Sequence, residues 1–156
     1  MALIRTYIDS GVLIFAAKAR HPTAVLALPF VTDPQREYVT SEYVRLEVLP
    51  KSKFNRTTIE TSFFEGFFAA NALCIPPSVG LMNLAMDEAV RHGISAIDAL
   101  HVAAAFFAGA QELMHRTNLI KVISIFPDGP TRRKPLARSL ARSLHRLATF
   151  IERHLS

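Results

Sequence analysis

Three carboxylates of this chain lie in segments whose composition is otherwise apolar. Asp9 ends a short β-prone run, Glu47 lies on the apolar side of a predicted helix, and Asp98 lies near the start of an alanine-rich segment. An unpaired charge in buried surroundings costs on the order of several kcal/mol, so a carboxylate there has either a structural partner or a chemical task. These three residues are therefore the first candidates for a functional site.

Each of the three carboxylates also has a structural explanation that the sequence leaves open. Asp9 would serve as a turn or N-cap residue, and Glu47 would pair with a basic side chain of its own helix. Asp98 stands three residues after Ser95, which is the spacing of a capping box. His101 follows one turn after Asp98, and we expect it to be a packed, hydrogen-bonded helix residue rather than a catalytic base or a ligand.

Taken together, the three carboxylates predict a metal site. They come from separate elements, and if a parallel sheet brought them to one of its ends, their charges would repel one another unless a cation lay between them. Ligand sets made only of oxygen select hard ions such as Mg²⁺ or Mn²⁺ over zinc. Such an ion polarises a phosphate, activates a water and stabilises the leaving oxygen, which is the chemistry of phosphodiester hydrolysis.

The order of the predicted elements supplies the sheet that this site requires. Strands alternate with helices along the chain, which favours a three-layer α/β/α sandwich with a central parallel sheet. The strands are expected at residues 3–8, 38–40, 73–75, 112–114 and 122–126. The helices are expected at residues 12–19, 22–30, 42–49 (ended by Pro50), 59–71, 79–92 and 96–108.

Length and composition limit what the chain can be. Its 156 residues fit one domain, predicted over residues 1–128 and followed by a basic tail at 129–156. The single cysteine, Cys74, excludes an intrachain disulfide and a four-thiolate metal site, and it fits a reducing compartment. No apolar run is long enough to span a membrane and no signal-peptide core precedes Asp9, so a cytoplasmic protein without a membrane partner is expected.

The net charge of +5 is concentrated in the tail. Residues 1–130 hold 11 Lys/Arg against 12 Asp/Glu, whereas residues 131–156 hold seven Lys/Arg against one Glu. The cluster Arg132, Arg133 and Lys134 is suited to contact with the phosphates of RNA, although a solvated linker has the same composition.

The rest of the tail predicts one amphipathic helix over Pro135–Leu155. Aliphatic residues recur along it at steps of three and four, namely Leu136, Leu140, Leu144, Leu147, Ile151 and Leu155. This stripe must be buried against the domain itself, against a second copy of the chain in a homodimer, or against another protein. A helix lying on a membrane surface is less favoured, because only Phe150 adds an aromatic residue near the apolar face.

Three segments carry a resemblance to a known family, and they read YIDSGVLI (7–14), TSEYVRLEVL (40–49) and IDALHVA (97–103). They resemble the three leading motifs of PIN domains, which are Mg²⁺-dependent ribonucleases and in many cases the toxins of bacterial toxin–antitoxin pairs. The resemblance spans about residues 3–126. It implies a PIN-like parallel α/β/α sheet, an acidic pocket, RNA as the substrate and an antitoxin protein as a partner. It also implies metal-ligand and catalytic roles for Asp9, Glu47 and Asp98.

The chain departs from this family at the fourth acidic position. PIN domains usually carry another Asp or Glu soon after the strand that follows the third motif, whereas a gapless match places Thr117 there, with Asn118 next to it. Their neutral oxygens bind a divalent cation more weakly than a carboxylate does. Two interpretations therefore stay open: a metal-dependent RNA endonuclease, and a degenerate module of the same fold that binds RNA or a protein partner without cleavage.

Overall fold

The structure is a computed structural model that describes residues 2–18, 28–29, 31–70, 73–116 and, for the backbone, 120–124. Several sequence predictions fall outside these residues. They are the fourth-position candidates Thr117 and Asn118, the basic cluster Arg132–Lys134, the amphipathic tail helix, and most of the helix predicted at 22–30.

A five-stranded sheet forms the middle of the described fold. Its strands are β1 (Ile4–Ile8), β2 (Arg36–Ser41), β3 (Leu73–Ile75), β4 (Glu112–Arg116) and β5 (Ile120–Ser124), in the spatial order β3-β2-β1-β4-β5. The first four strands are parallel, as predicted, whereas β5 runs antiparallel to β4. Only residues 117–119 separate β4 from β5, and a parallel connection needs a crossover of roughly a dozen residues or more, so the last strand has to fold back.

Helices cover both faces of this sheet. Those in the described residues are α1 (Ser10–Ala17), α2 (Glu42–Phe54), α3 (Thr58–Ala70), α4 (Val79–His92) and α5 (Ala96–Phe107). Helix α1 packs against α2, α3 and β4, whereas α5 packs against α4 and β2. Because crossovers between parallel strands are right-handed and the chain reverses its direction across the sheet after β3, α1–α3 lie on one face and α4–α5 on the other. The predicted three-layer α/β/α sandwich is confirmed. Among the helices described, none combines the length and apolar character needed to cross a membrane.

Helix α2 is longer than predicted, because Pro50 does not end it. Proline removes one backbone hydrogen bond of a helix, yet the chain continues helically to Phe54. Beyond the proline, the buried Ser52 hydroxyl donates to the Leu49 carbonyl at 3.0 Å and lies 3.0 Å from the Thr61 hydroxyl of α3. These contacts stabilise the last turn of α2 and compensate for the missing hydrogen bond.

Helix α5 lies close to the sheet because its inner face is made mostly of alanine. Its almost fully buried members include Ala99, Ala103, Ala104 and Ala105. Small side chains let the helix backbone approach the strands, and this approach brings His101 within hydrogen-bond distance of Tyr7 on β1. Tight packing of α5 is therefore a condition for the polar contacts described below.

Replacing Ala103 by leucine is expected to lower the free energy of unfolding by about 1–3 kcal/mol, because the added atoms have no space between α5 and the sheet. Ala103 is fully buried, whereas Ala96 is exposed at the start of the same helix. Ala96→Leu therefore adds the same atoms without overpacking and is the matched control. Urea unfolding of both variants measures the difference, and equal stabilities would contradict tight packing of α5.

Candidate functional site

Asp9 ends β1 and starts α1. Its Oδ1 accepts a hydrogen bond from the backbone N–H of Val12 at 2.9 Å, which makes it the N-cap of the helix. The structural role that the sequence leaves open for Asp9 is thus present. The residue is only 3% exposed, so its second carboxyl oxygen requires a partner from the protein or a ligand.

The end of β1 coincides with the point where the strand order of the sheet reverses. Strands β2 and β3 follow on one side of β1, and the chain then crosses back to place β4 on the other side. In open parallel sheets, a ligand crevice forms at this point outside the carboxyl ends of the strands. Asp9 lies there, and its backbone N–H donates to the Met114 carbonyl of β4 at 3.2 Å.

A histidine meets the second oxygen of Asp9. His115 follows Met114 on β4, and its Nδ1 forms a close hydrogen-bonded pair with Oδ2 of Asp9. The strand register explains this contact, because Ile8 pairs with Met114 and the next residues of the two strands therefore lie side by side. The carboxylate of Asp9 is held at both oxygens, one by a helix terminus and one by an imidazole.

Glu47 belongs to α2, which begins directly after β2, and its Oε2 lies 3.0 Å from Nε2 of His101 on α5. Burial by itself raises the pKa of Glu47, but the hydrogen bond and charge of His101, with a hydrogen bond from Ser10, outweigh burial and hold this pKa below its ordinary value. The negative charge of Asp9 raises the pKa of Glu47, so the two carboxylates are close enough to influence each other.

Glu47 ends a buried chain of polar side chains. The Tyr7 hydroxyl lies 2.7 Å from the Ser41 hydroxyl and 3.1 Å from Nδ1 of His101, and burial raises the pKa of Tyr7 so that it keeps its proton. A carboxylate only accepts hydrogen bonds, so the contact with Glu47 is favourable when Nε2 of His101 carries a proton. With a neutral imidazole, Nδ1 then accepts from Tyr7, and Tyr7 accepts from Ser41. His101 is the packed, hydrogen-bonded residue that the sequence predicts.

Asp98 lies in the first turn of α5, where Ser95 is the N-cap and the two side chains hydrogen-bond to each other. The Ser95 hydroxyl lies 2.7 Å from Oδ2 of Asp98, and the backbone N–H of Asp98 donates to the Ser95 hydroxyl oxygen at 3.2 Å. The structural role that the sequence leaves open for Asp98 is therefore present as well. A catalytic or metal-binding role for this residue stays a prediction.

The described side chains do not present a ready-made metal site. In the part of the chain that the structure describes, no three His, Cys, Asp or Glu side chains are arranged to hold one ion. Each predicted carboxylate faces another side chain instead: Asp9 faces His115, Glu47 faces His101, and Asp98 faces Ser95. A cation that binds Oδ2 of Asp9 would share that oxygen with the imidazole or replace the imidazole there.

Sequence reasoning did not select two basic residues at the end of β4, His115 and Arg116. The guanidinium carbon of Arg116 lies 4.7 Å from the ring centroid of Phe15 on α1, and a Cβ at Gly11 would lie 3.3 Å from the Cβ of Arg116. Their position in the sequence could have indicated them, because they end a strand that neighbours β1, and the carboxyl ends of parallel strands lie at the same edge of the sheet as Asp9. These residues bring basic groups next to the carboxylates.

The fold, rather than the sequence, relates this chain to known proteins. No protein-family model matches the sequence, and no curated protein matches it. Among solved structures, the fold is similar to that in the crystal structure of VapBC2 from Rickettsia felis bound to a DNA fragment from their promoter. The TM-score is 0.55 at 16% sequence identity, over 73% of this chain and 88% of that chain. At this identity the likeness concerns the fold, and it agrees with the predicted PIN-like fold class.

Removing the Tyr7 hydroxyl is expected to destabilise the fold by about 1–3 kcal/mol, because His101 and Ser41 each lose a buried hydrogen-bond partner. Tyr43→Phe is the matched control. The Tyr43 hydroxyl is also buried but has no hydrogen-bond partner among the described residues, so its removal should be neutral or stabilising. Urea unfolding compares the two variants, and a Tyr7→Phe protein as stable as Tyr43→Phe would argue against the polar chain.

The contribution of Glu47 to stability is expected to be lost in acid. Its folded pKa lies below the ordinary value of 4.5, so this contribution is complete above that value and disappears as the pH falls through the lowered folded pKa. In Glu47→Gln, which does not titrate, the free energy of unfolding should decline less steeply on acidification. Urea unfolding in buffers on both sides of pH 4.5 measures the two slopes, and parallel curves would contradict the coupling to His101.

Proposed function

We propose that this chain is a metal-dependent RNA endonuclease of the PIN type, which hydrolyses phosphodiester bonds. The observation that carries the proposal is that buried Asp9 ends β1 at the reversal point of the parallel sheet, next to Ser10, whose side chain hydrogen-bonds Glu47 of another element. Neighbouring carboxylates of this kind favour cation binding and acid–base chemistry. Arg116 at the end of β4 adds a positive charge that suits an anionic backbone.

Two further findings support this proposal. The segments around Asp9, Glu47 and Asp98 resemble the leading motifs of PIN domains. The fold is similar to that of VapBC2, which in its structure is bound to a DNA fragment from the promoter. We extend the proposal accordingly: the chain is the toxin of a toxin–antitoxin pair, its protein partner is an antitoxin, and it acts in the cytoplasm.

The proposed cation is Mg²⁺ or Mn²⁺, with Asp9, Glu47 and Asp98 as its ligands, because hard ions prefer oxygen. In the described arrangement His115 pairs with one oxygen of Asp9, so an ion bound there would share this oxygen with the imidazole or displace it. The other oxygen of Asp9 stays with the N-terminus of α1 and orients the carboxylate. Thr117 and Asn118 are proposed to stand in for the fourth acid with neutral oxygens.

A second candidate function is favoured by the contacts of the two acids. A module of this fold that had lost hydrolysis would bind RNA or a protein partner without cutting. Asp9 is already paired with His115 and Glu47 with His101, so neither acid depends on a cation for a partner, and Thr117 supplies no carboxylate at the fourth position. For both candidates we propose that the basic cluster Arg132–Lys134 contacts RNA phosphates.

Asp9→Asn is expected to reduce metal-stimulated RNA cleavage roughly a hundredfold or more, because it removes a charged ligand. The substitution keeps a side-chain oxygen for the Val12 N–H, so α1 retains its cap. Asp87→Asn changes an exposed aspartate of α4 and is the matched control, with cleavage expected at the level of the original protein. The measurement is a titration of Mg²⁺ and Mn²⁺ with labelled RNA, resolved on gels.

The two candidates differ in the outcome of this experiment. Cleavage that rises with the metal and falls in Asp9→Asn supports the endonuclease. RNA binding without cleavage at every metal concentration, equal in the original protein and in Asp9→Asn, supports the binding module. A protein that neither binds nor cuts RNA would contradict both candidates for this substrate.

A further inference from the structure

An exposed apolar stripe runs along the outer face of α4. Its members recur at steps of three and four residues, and they are Val79, Met82, Met86 and Val90, with exposed fractions of 78%, 45%, 61% and 87%. The residues of α4 that are buried lie on another side of the helix and include Leu81 and Ala85. A row of this spacing on a solvent-facing side is typical of a surface that another helix covers, and methionine adapts its shape to such a partner.

The tail carries a second apolar stripe with the same spacing. The six aliphatic residues between Leu136 and Leu155 recur at steps of three and four, and the arginines of this segment fall outside that row. A helix of this length measures about 30 Å, against about 21 Å for α4, so it is long enough to cover the whole α4 stripe.

A short series of contacts connects the end of the described chain with the start of the α4 stripe. Ser124, the last residue of β5, pairs with Glu112 at the start of β4. Helix α5 ends at Phe107, shortly before β4, and its ring lies 3.4 Å from where a Cβ would stand at Gly80 in the first turn of α4. The end of β5 is therefore connected to the first turn of α4 through Glu112, the five residues back to Phe107, and the contact of Phe107 with Gly80. Residues 125–135 reach about 36 Å when extended, which spans several strand spacings of about 5 Å.

We propose that residues 136–155 of the tail are the occupant of the α4 stripe and pack against α4 as a helix. This packing removes both aliphatic rows from water and leaves the tail arginines at its border, where exposed Asp87 offers a carboxylate. Tethering favours this occupant over a second copy or a separate protein, because a short linker gives the tail an effective concentration of roughly millimolar. The inference does not depend on the proposed nuclease activity.

Hydrogen exchange on the full chain tests this packing. The amides of residues 136–155 are expected to exchange about tenfold or more slowly than in an unfolded chain, and to keep this protection on strong dilution. The double variant Met86→Asp/Val90→Asp should bring them back to the unfolded rate, while protected amides in β1 report that the fold is intact. Phe54→Asp is the matched control, because Phe54 of α2 is 87% exposed, like Val90, but lies outside the stripe. It should leave the tail protected.

Three results would overturn the proposal. Tail amides that exchange at the unfolded rate in the original protein would mean that no helix is docked. Protection that disappears on dilution, together with a fall in mass from dimer to monomer, would assign the α4 stripe to a second copy. Protection that survives the double variant would place the tail on another surface.

Discussion

Strand β1 is the element on which the rest of the structure depends. It lies between β2 and β4. The chain adds β2 and β3 on one side of β1 and then crosses back to add β4 on its other side. At the amino end of the sheet, Arg36 of β2 pairs with Glu112 of β4 and lies 3.1 Å from the Thr6 hydroxyl of β1, which ties three strands together. The register held there is the one that brings Asp9 beside His115 at the carboxyl end.

The candidate site is an acidic edge whose two carboxylates each contact a histidine of the same chain. His115 of β4 faces Asp9, and His101 of α5 faces Glu47, so the two carboxylates receive their partners from different elements. Pairing of this kind offsets the repulsion that neighbouring carboxylates experience in a folded chain. It also links stability to function, because the contacts that stabilise the acids involve the same carboxylates that a cation would bind.

Patterns that depend on near neighbours could be predicted from the sequence. The bounds of α4 were predicted correctly, since Ser78 caps its start and Gly93, with a φ of +62°, ends it. The spacing of Ser95 and Asp98 indicated the N-cap of α5, and alternating strands and helices indicated the layered fold. The predicted end of α2 before Pro50 was wrong, because the helix continues to Phe54 and its last turn is held by a contact with α3.

The sequence by itself determined where most strands and helices lie, which acids are out of place in apolar segments, and that the tail carries a basic cluster and an aliphatic stripe. Only the tertiary structure decided what those acids contact. Asp9 and His115 are 106 residues apart, and Tyr7 and His101 are 94 apart, so no local spacing records either contact. These contacts follow from strand register and from the close approach of an alanine-faced helix, which arise only when distant elements are packed together.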